Sequence, residues 1–175
     1  MFAALTLVPI IFSGRPELPP FDLIIPGGAV GSISLQQNLA GSHPWQLKPL
    51  TGPNSEGDAA MGHVWNRFQA VGKGEIDIYT VRGANDSAAT PEALIDEIRV
   101  TSRTYATRQR VKVGSSQSRI RRAYRIKQVS GAKGFNLYDD VADGIAFEFK
   151  GRRCSAIIVH PKNQRVDQIY LPYHS

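Results

Sequence analysis

Residues able to do chemistry are scattered along this chain, not gathered. The run "DDVAD" at 139–143 brings Asp139, Asp140 and Asp143 together. Three carboxylates are a start toward calcium, but that ion asks for about six to eight oxygens and the run lacks the EF-hand order, so it reads as a solvated turn. Four histidines, His43, His63, His160 and His174, stand in unlike contexts with neither an HExxH nor an i, i+4 pair. His160 closes an apolar run before Pro161 and reads as a hydrogen-bonded structural residue. "PGGAVGS" at 26–32 has the glycines of a phosphate loop without the lysine that would reach a phosphate, which makes it a turn. The serines of "VGSS" lack the G-x-S-x-G elbow and are better placed to cap a helix. Cys154 is the sole cysteine, so there is no internal disulfide and no cysteine cluster for zinc; in an apolar strand it reads as an inert thiol. Asp96 and Asp167 occupy like contexts in "LIDEIRV" and "RVDQIYLP", which suggests a shared cross-strand job over an acid/base pair. These residues lead us to expect no enzyme, no cofactor and no metal.

Charge is the stronger signal. The net charge is +6, and from Ile98 through Tyr138 there is no Asp or Glu while more than half of the 21 Lys and Arg fall in that stretch. On a helix, Arg119, Arg122 and Arg125, with Lys127 beyond them, would form a cationic ridge that attracts anions. The contrasting expectation is an ordinary solvated face answered by acids elsewhere.

These residues must be positioned by short elements. At 175 residues the chain suits one domain or two small units sharing a core. "GHVWNRFQAVG", "GEIDIYTV" and "LIDEIRV" are strand candidates in the first half, and "GIAFEFKG", "CSAIIVHP" and "RVDQIYLP" in the second; their period-two alternation predicts one wet face. A helix is expected over 113–127, capped by Ser115 or Ser116 with Ile120, Ala123 and Tyr124 facing inward. A poorer helix, broken by Pro44 and Pro49, is expected in "LQQNLAGSHPWQLKPLTGP". The predicted fold is therefore α+β: two tandem α–β–β–β repeats forming one antiparallel sheet with helices packed on one face. Residues 1–23 form an apolar, possible export segment with a Pro-rich lead-in, 24–102 the first repeat and 103–175 the second.

"VTSRTYATRQRVKVGSSQSRIRRAY", "LYDDVADGIAFEF" and "IIVHP" together resemble the helix-and-three-strand unit of exported bacterial proteins, namely the outer-membrane assembly lipoproteins of the SmpA/OmlA kind and the tandem β-lactamase inhibitor proteins. The resemblance implies a non-catalytic protein-binding module, an inhibitor or envelope assembly factor, that meets another protein through its open sheet face. By alternation that face presents Asp77, Tyr79, Glu97, Arg99, Glu148 and Lys150, with Trp65 nearby; Tyr, Trp and Arg are the types that anchor interfaces. The apolar start "MFAALTLVPIIFSG", too short to span a bilayer, looks like the core of a secretory signal and implies a periplasmic or secreted protein. The alternative is a cationic adaptor that holds an anionic surface or polymer through the Arg/Lys ridge at 99–133, with nucleic acid the least expected partner.

Overall fold

A computed structural model of the chain describes residues 22–38, 94–129 and 136–166, and three strands at 47–49, 63–70 and 74–81. Of those three strands' side chains it describes Ile76, Asp77 and Ile78. The apolar start, the candidate helix residues 39–46, His43, His174 and the expected strand from Asp167 onward lie outside the described residues.

Twelve short strands and one helix follow in order: β1 (Leu23–Ile25), β2 (Ala29–Val30), β3 (Ile33–Ser34), β4 (Leu47–Pro49), β5 (His63–Ala70), β6 (Gly74–Val81), β7 (Leu94–Val100), β8 (Ala106–Thr107), α1 (Gln117–Ala123), β9 (Lys127–Gln128), β10 (Asn136–Asp140), β11 (Ile145–Lys150) and β12 (Arg153–Val159). Eight of them make one antiparallel sheet in the order β4-β5-β6-β7-β12-β11-β10-β9, and β3-β2-β1-β8 make a second, smaller sheet. The large sheet has its seam between β7 and β12, where Val100, Arg99 and Ile98 pair with Ile157, Ile158 and Val159.

Alternation decides which face is which. Ile76, Ile78, Ile98, Val100, Ile145, Phe147, Phe149, Ile157 and Val159 all join one core cluster on the first face. The small sheet contributes Ile24, Val30 and Ile33 to the same cluster, and α1 contributes Ile120, so the small sheet and the helix cover that face together. Each fully buried side chain of this size contributes about 1.5–3 kcal/mol. The Tyr124 ring lies 5.3 Å from that of Phe147. The small sheet is clamped at its β1–β2 turn, where the Gly27 N–H donates to the Gly144 carbonyl over 3.0 Å. Gly144 has φ +72, and a Cβ there would collide with the His160 carbonyl oxygen and press on the Gly27 Cα, so only glycine fits.

The expected two tandem α–β–β–β repeats are not what the chain forms. It is mostly strand; α1 is the one α-helix among the described residues, and no second helix packs beside it. Where the first repeat's helix was expected, Leu47–Pro49 is a strand paired with β5. Proline explains the choice: Pro49 has no N–H for a helix but can close an edge strand, and Pro44 removes another donor just upstream. The Pro- and Gly-rich residues read as an extended lead-in and turn instead build β1, β2 and β3, a second sheet that the pattern did not announce. In the second half a strand that was not expected precedes "GIAFEF": it is β10, which takes Asp139 and Asp140 out of the expected turn and buries both. The helix is also shorter than predicted. Ser116 caps it, its hydroxyl accepting from the Arg119 N–H, and it stops at Tyr124, whose backbone is extended.

Candidate functional site

The second face of the large sheet was expected to be open. Of the residues proposed to meet a partner there, Asp77, Glu97, Arg99 and Glu148 do share a face, but they are buried, with exposures of 1%, 2%, 8% and 5%. Arg99 is the hub. Its Nε and Nη2 donate to the two oxygens of Glu148 over 2.7 and 2.9 Å, and its Nη1 donates to Asp77 Oδ2 over 2.9 Å. Asp77 sits directly opposite Arg99 on β6. Glu148 is two strands away across β12, where its partner is the small Ala156, which leaves room for the guanidinium to pass. Burial alone would lower the proton affinity of Arg99; the bonds and charge of Glu148, then those of Asp77, outweigh it and hold it raised. Beside this cluster Leu137, Ala146, Ile158 and Val166 form a small apolar patch of their own. Trp65 and Tyr79 are cross-strand partners on β5 and β6, with side chains outside the described residues. Of the five whose side chains are described, Lys150 alone is exposed.

Lys150 belongs to a different place. At one end of the large sheet a groove of about 970 Å³ is lined by Arg103, Arg110, Lys112, Arg119, Lys150 and Arg153, together with Thr101, Ser115 and Ser155. Among the described residues no Asp or Glu lines it, and all six cations are exposed. The groove is rigidly framed. The strap Lys112–Ser116 is stitched to the start of β12 by Gly114 N–H to Cys154 O at 2.8 Å and Cys154 N–H to Ser115 O at 2.9 Å. The Ser115 hydroxyl accepts from the Lys112 N–H at 3.0 Å.

Side chains are held as well. Arg153 Nη1 donates to the Gly114 carbonyl and Arg119 Nη2 to the Arg110 carbonyl, each over 3.1 Å. A Cβ on Gly114 would stand 3.8 Å from Arg103 Nε, so Arg103 and Arg153 flank the same glycine. Like charges lining one groove repel, and an anion placed among them relieves the cost. Cys154 borders the groove, 3% exposed. Burial, then the charge of Glu148, pushes its thiol up to about 12, so it stays protonated at neutral pH.

The predicted anion-binding ridge is therefore divided. Arg119 reaches the groove, but α1 ends at Ala123, so Arg125 does not continue the helical row. Arg125 and Lys127 instead line a second cavity of about 620 Å³. Arg122 is exposed on α1 and lines neither. Of the other groove cations, Arg103, Arg110 and Lys112 fall within the basic ridge expected at 99–133, and Arg153 lies outside it. The acid-free stretch was the signal for three of them; Arg153 is brought in by the turn after Lys150, which sequence spacing does not show.

The acids of "DDVAD" are also absorbed by the fold. Asp139 accepts from His160 Nε2 at 2.9 Å and from the Val166 N–H at 3.1 Å. Asp140 accepts from the Arg125 N–H at 2.6 Å and the Asp143 N–H at 3.4 Å. Among the described residues no three His, Cys, Asp or Glu side chains are grouped to hold a metal ion, and no helix is long and apolar enough to cross a membrane.

No protein-family model matches this chain, and no curated protein matches its sequence. The resemblance to the inhibitor and assembly-lipoprotein families thus gains no support from either comparison. Among solved structures the chain is distantly similar to the crystal structure of the uncharacterized protein YfeY from Escherichia coli, with 13% identity over 78% of this chain and 98% of that one and a TM-score of 0.43.

Proposed function

We propose that the protein is a non-catalytic binding module that holds an anionic polymer or surface in the groove at the end of its large sheet. One observation carries the reading: six exposed Lys and Arg line one concave surface with no acid among its described residues. The bonds that fix the strap and two of the guanidinium groups add pre-organisation, so little side-chain freedom is lost when an anion arrives. Arginine forks also favour oxyanions, which they can grip through two parallel bonds. The face first assigned to a protein partner fits less well, because four of its residues are buried and Arg99 is spent on its neighbours.

The test is titration of the full chain with inorganic polyphosphate as a model polyanion, with anionic vesicles run in parallel, over a range of salt. Binding should weaken steeply as salt rises. Each groove cation neutralised, by Arg103→Gln, Lys112→Gln or Arg153→Gln, should lower the slope of log affinity against log salt by roughly 0.7–0.9 if it contacts a charged group. Affinity that ignores salt, or a triple variant that binds as the parent does, would sink the proposal.

A further inference from the structure

The second cavity carries a site of another kind. It lies under the edge strand β9 and the turn after β10, and its volume of about 620 Å³ falls in the range that holds a small molecule. Arg125, Lys127 and Arg165 line it, together with the apolar side chains of Val129, Val141 and Ala142. Its two acids, Asp139 and Asp140, are the natural partners for those cations. Lys127 even stands directly opposite Asp139 in the β9–β10 register.

Yet Asp139 spends its oxygens on His160 and the Val166 N–H, and Asp140 spends its own on the backbone N–H groups of Arg125 and Asp143. These bonds secure the turn at 141–144 and its approach to β12. Among the described residues they leave the charged groups of three exposed cations with no carboxylate bonded to them, beside an apolar wall.

We infer that this cavity binds a small monoanion with an apolar body, its carboxylate or equivalent head held by Arg125, Lys127 and Arg165 and its tail laid against Val129, Val141 and Ala142. The formal balance, three cations against two acids, favours one negative charge. The lining is only partly polar, so a bare inorganic anion would forgo the apolar contact. This site is separate from the cationic groove and does not depend on what that groove binds.

The experiment is calorimetric titration of the full chain with decanoate, decanol and inorganic phosphate. Decanoate should bind saturably, with decanol and phosphate each weaker by roughly tenfold to a hundredfold, the scale set by losing a charge-assisted hydrogen bond or the buried tail. Arg165→Gln should reduce decanoate affinity by about tenfold. Ala142→Trp, an exposed turn position, should fill the cavity and abolish binding without removing any charge. Arg153→Gln, in the groove, should leave decanoate binding unchanged, and near-ultraviolet circular dichroism should confirm that each variant is folded. Equal binding of decanol and decanoate, non-saturable uptake, or full affinity in both cavity variants would overturn the assignment.

Discussion

Arginine does opposite work in two parts of this molecule. Arg99, 8% exposed, has all its visible donors on two carboxylates, and a partner could reach it only by breaking the sheet's own interactions. Arg103, Arg119 and Arg153 line a surface with no acid among its described residues, and the bonds that Arg119 and Arg153 make go to backbone carbonyls, which fix position without cancelling charge. The first arrangement holds β6, β7 and β11 together across the seam. The second leaves a field that an outside anion can answer. The difference lies in the neighbours and in burial, and the residue type alone does not reveal it.

The largest expected effect comes from breaking the compensated side. Arg99→Met leaves Asp77 and Glu148 buried without their cation, and removing one partner of such a cluster costs about 3–5 kcal/mol. Urea denaturation should show that loss. Replacing Asp77, Arg99 and Glu148 together by apolar residues of similar volume should recover most of it. A cost under about 1 kcal/mol for Arg99→Met would mean that the cluster is no more than a surface pair.

On the other side, Arg103→Glu with Lys112→Glu should cut polyphosphate affinity by roughly tenfold or more, since two attractions become repulsions. Stability should change by no more than about 0.5 kcal/mol, and upward if crowding of like charge costs the free protein anything. Binding and unfolding measured on the same variant would separate the two regions cleanly. A groove variant that unfolds as badly as Arg99→Met would erase the contrast.

The sequence makes the faces of the strands legible because alternation is a local property: Ile76 and Ile78, Ile98 and Val100, and Ile145, Phe147 and Phe149 all fall on the side predicted. It also marks Ser115 or Ser116 as a cap, of which Ser116 is the one used, and the basic stretch as unusual. What it hides is non-local. Whether Asp77, Glu97, Arg99 and Glu148 meet water depends on what lies beside them after the two halves pair at β7 and β12, and no window of neighbouring residues contains that information. The helix was over-extended because Arg125 continues the pattern of Arg119 and Arg122, while the backbone turns extended at Tyr124 to carry the chain into β9. The small sheet was missed because its strands are only two or three residues long and the first three are separated by the Gly- and Pro-containing turns at 26–28 and 31–32.

A smaller effect separates the regions by pH. Burial raises the Tyr124 hydroxyl from its ordinary value to about 12, and that hydroxyl donates to Gln109 Oε1 at 2.9 Å. The folded state therefore keeps this proton at a pH where the unfolded chain has lost it. Its contribution is intact below about pH 10 and fades as pH climbs toward 12. Thermal unfolding should show stability falling across that window. Tyr124→Phe, which keeps the ring against Phe147, should cost about 1 kcal/mol at neutral pH and make the alkaline fall shallower. An unchanged alkaline profile in Tyr124→Phe would assign the fall to other groups.

The smallest effect joins the two regions at Cys154, a buried core residue that borders the groove while its proton affinity answers to the buried cluster. Burial is the main cause of the raised thiol, Glu148 adds to it, and the Ala156 carbonyl contact and Arg99 work against it. Iodoacetamide should label the native protein slowly at pH 8 and the urea-unfolded chain quickly, because only the thiolate reacts. In Glu148→Gln one raising influence disappears, so the midpoint of the pH–rate profile should move down. The midpoint is the quantity to read, since loosening of the sheet would raise the rate at every pH without moving it. Arg103→Gln, which changes only the groove's own field, should leave the midpoint near that of the parent. If the groove variant moved it more than Glu148→Gln did, the thiol would belong electrostatically to the exposed cations, and the line drawn between compensated and uncompensated arginine would have to be redrawn through residue 154.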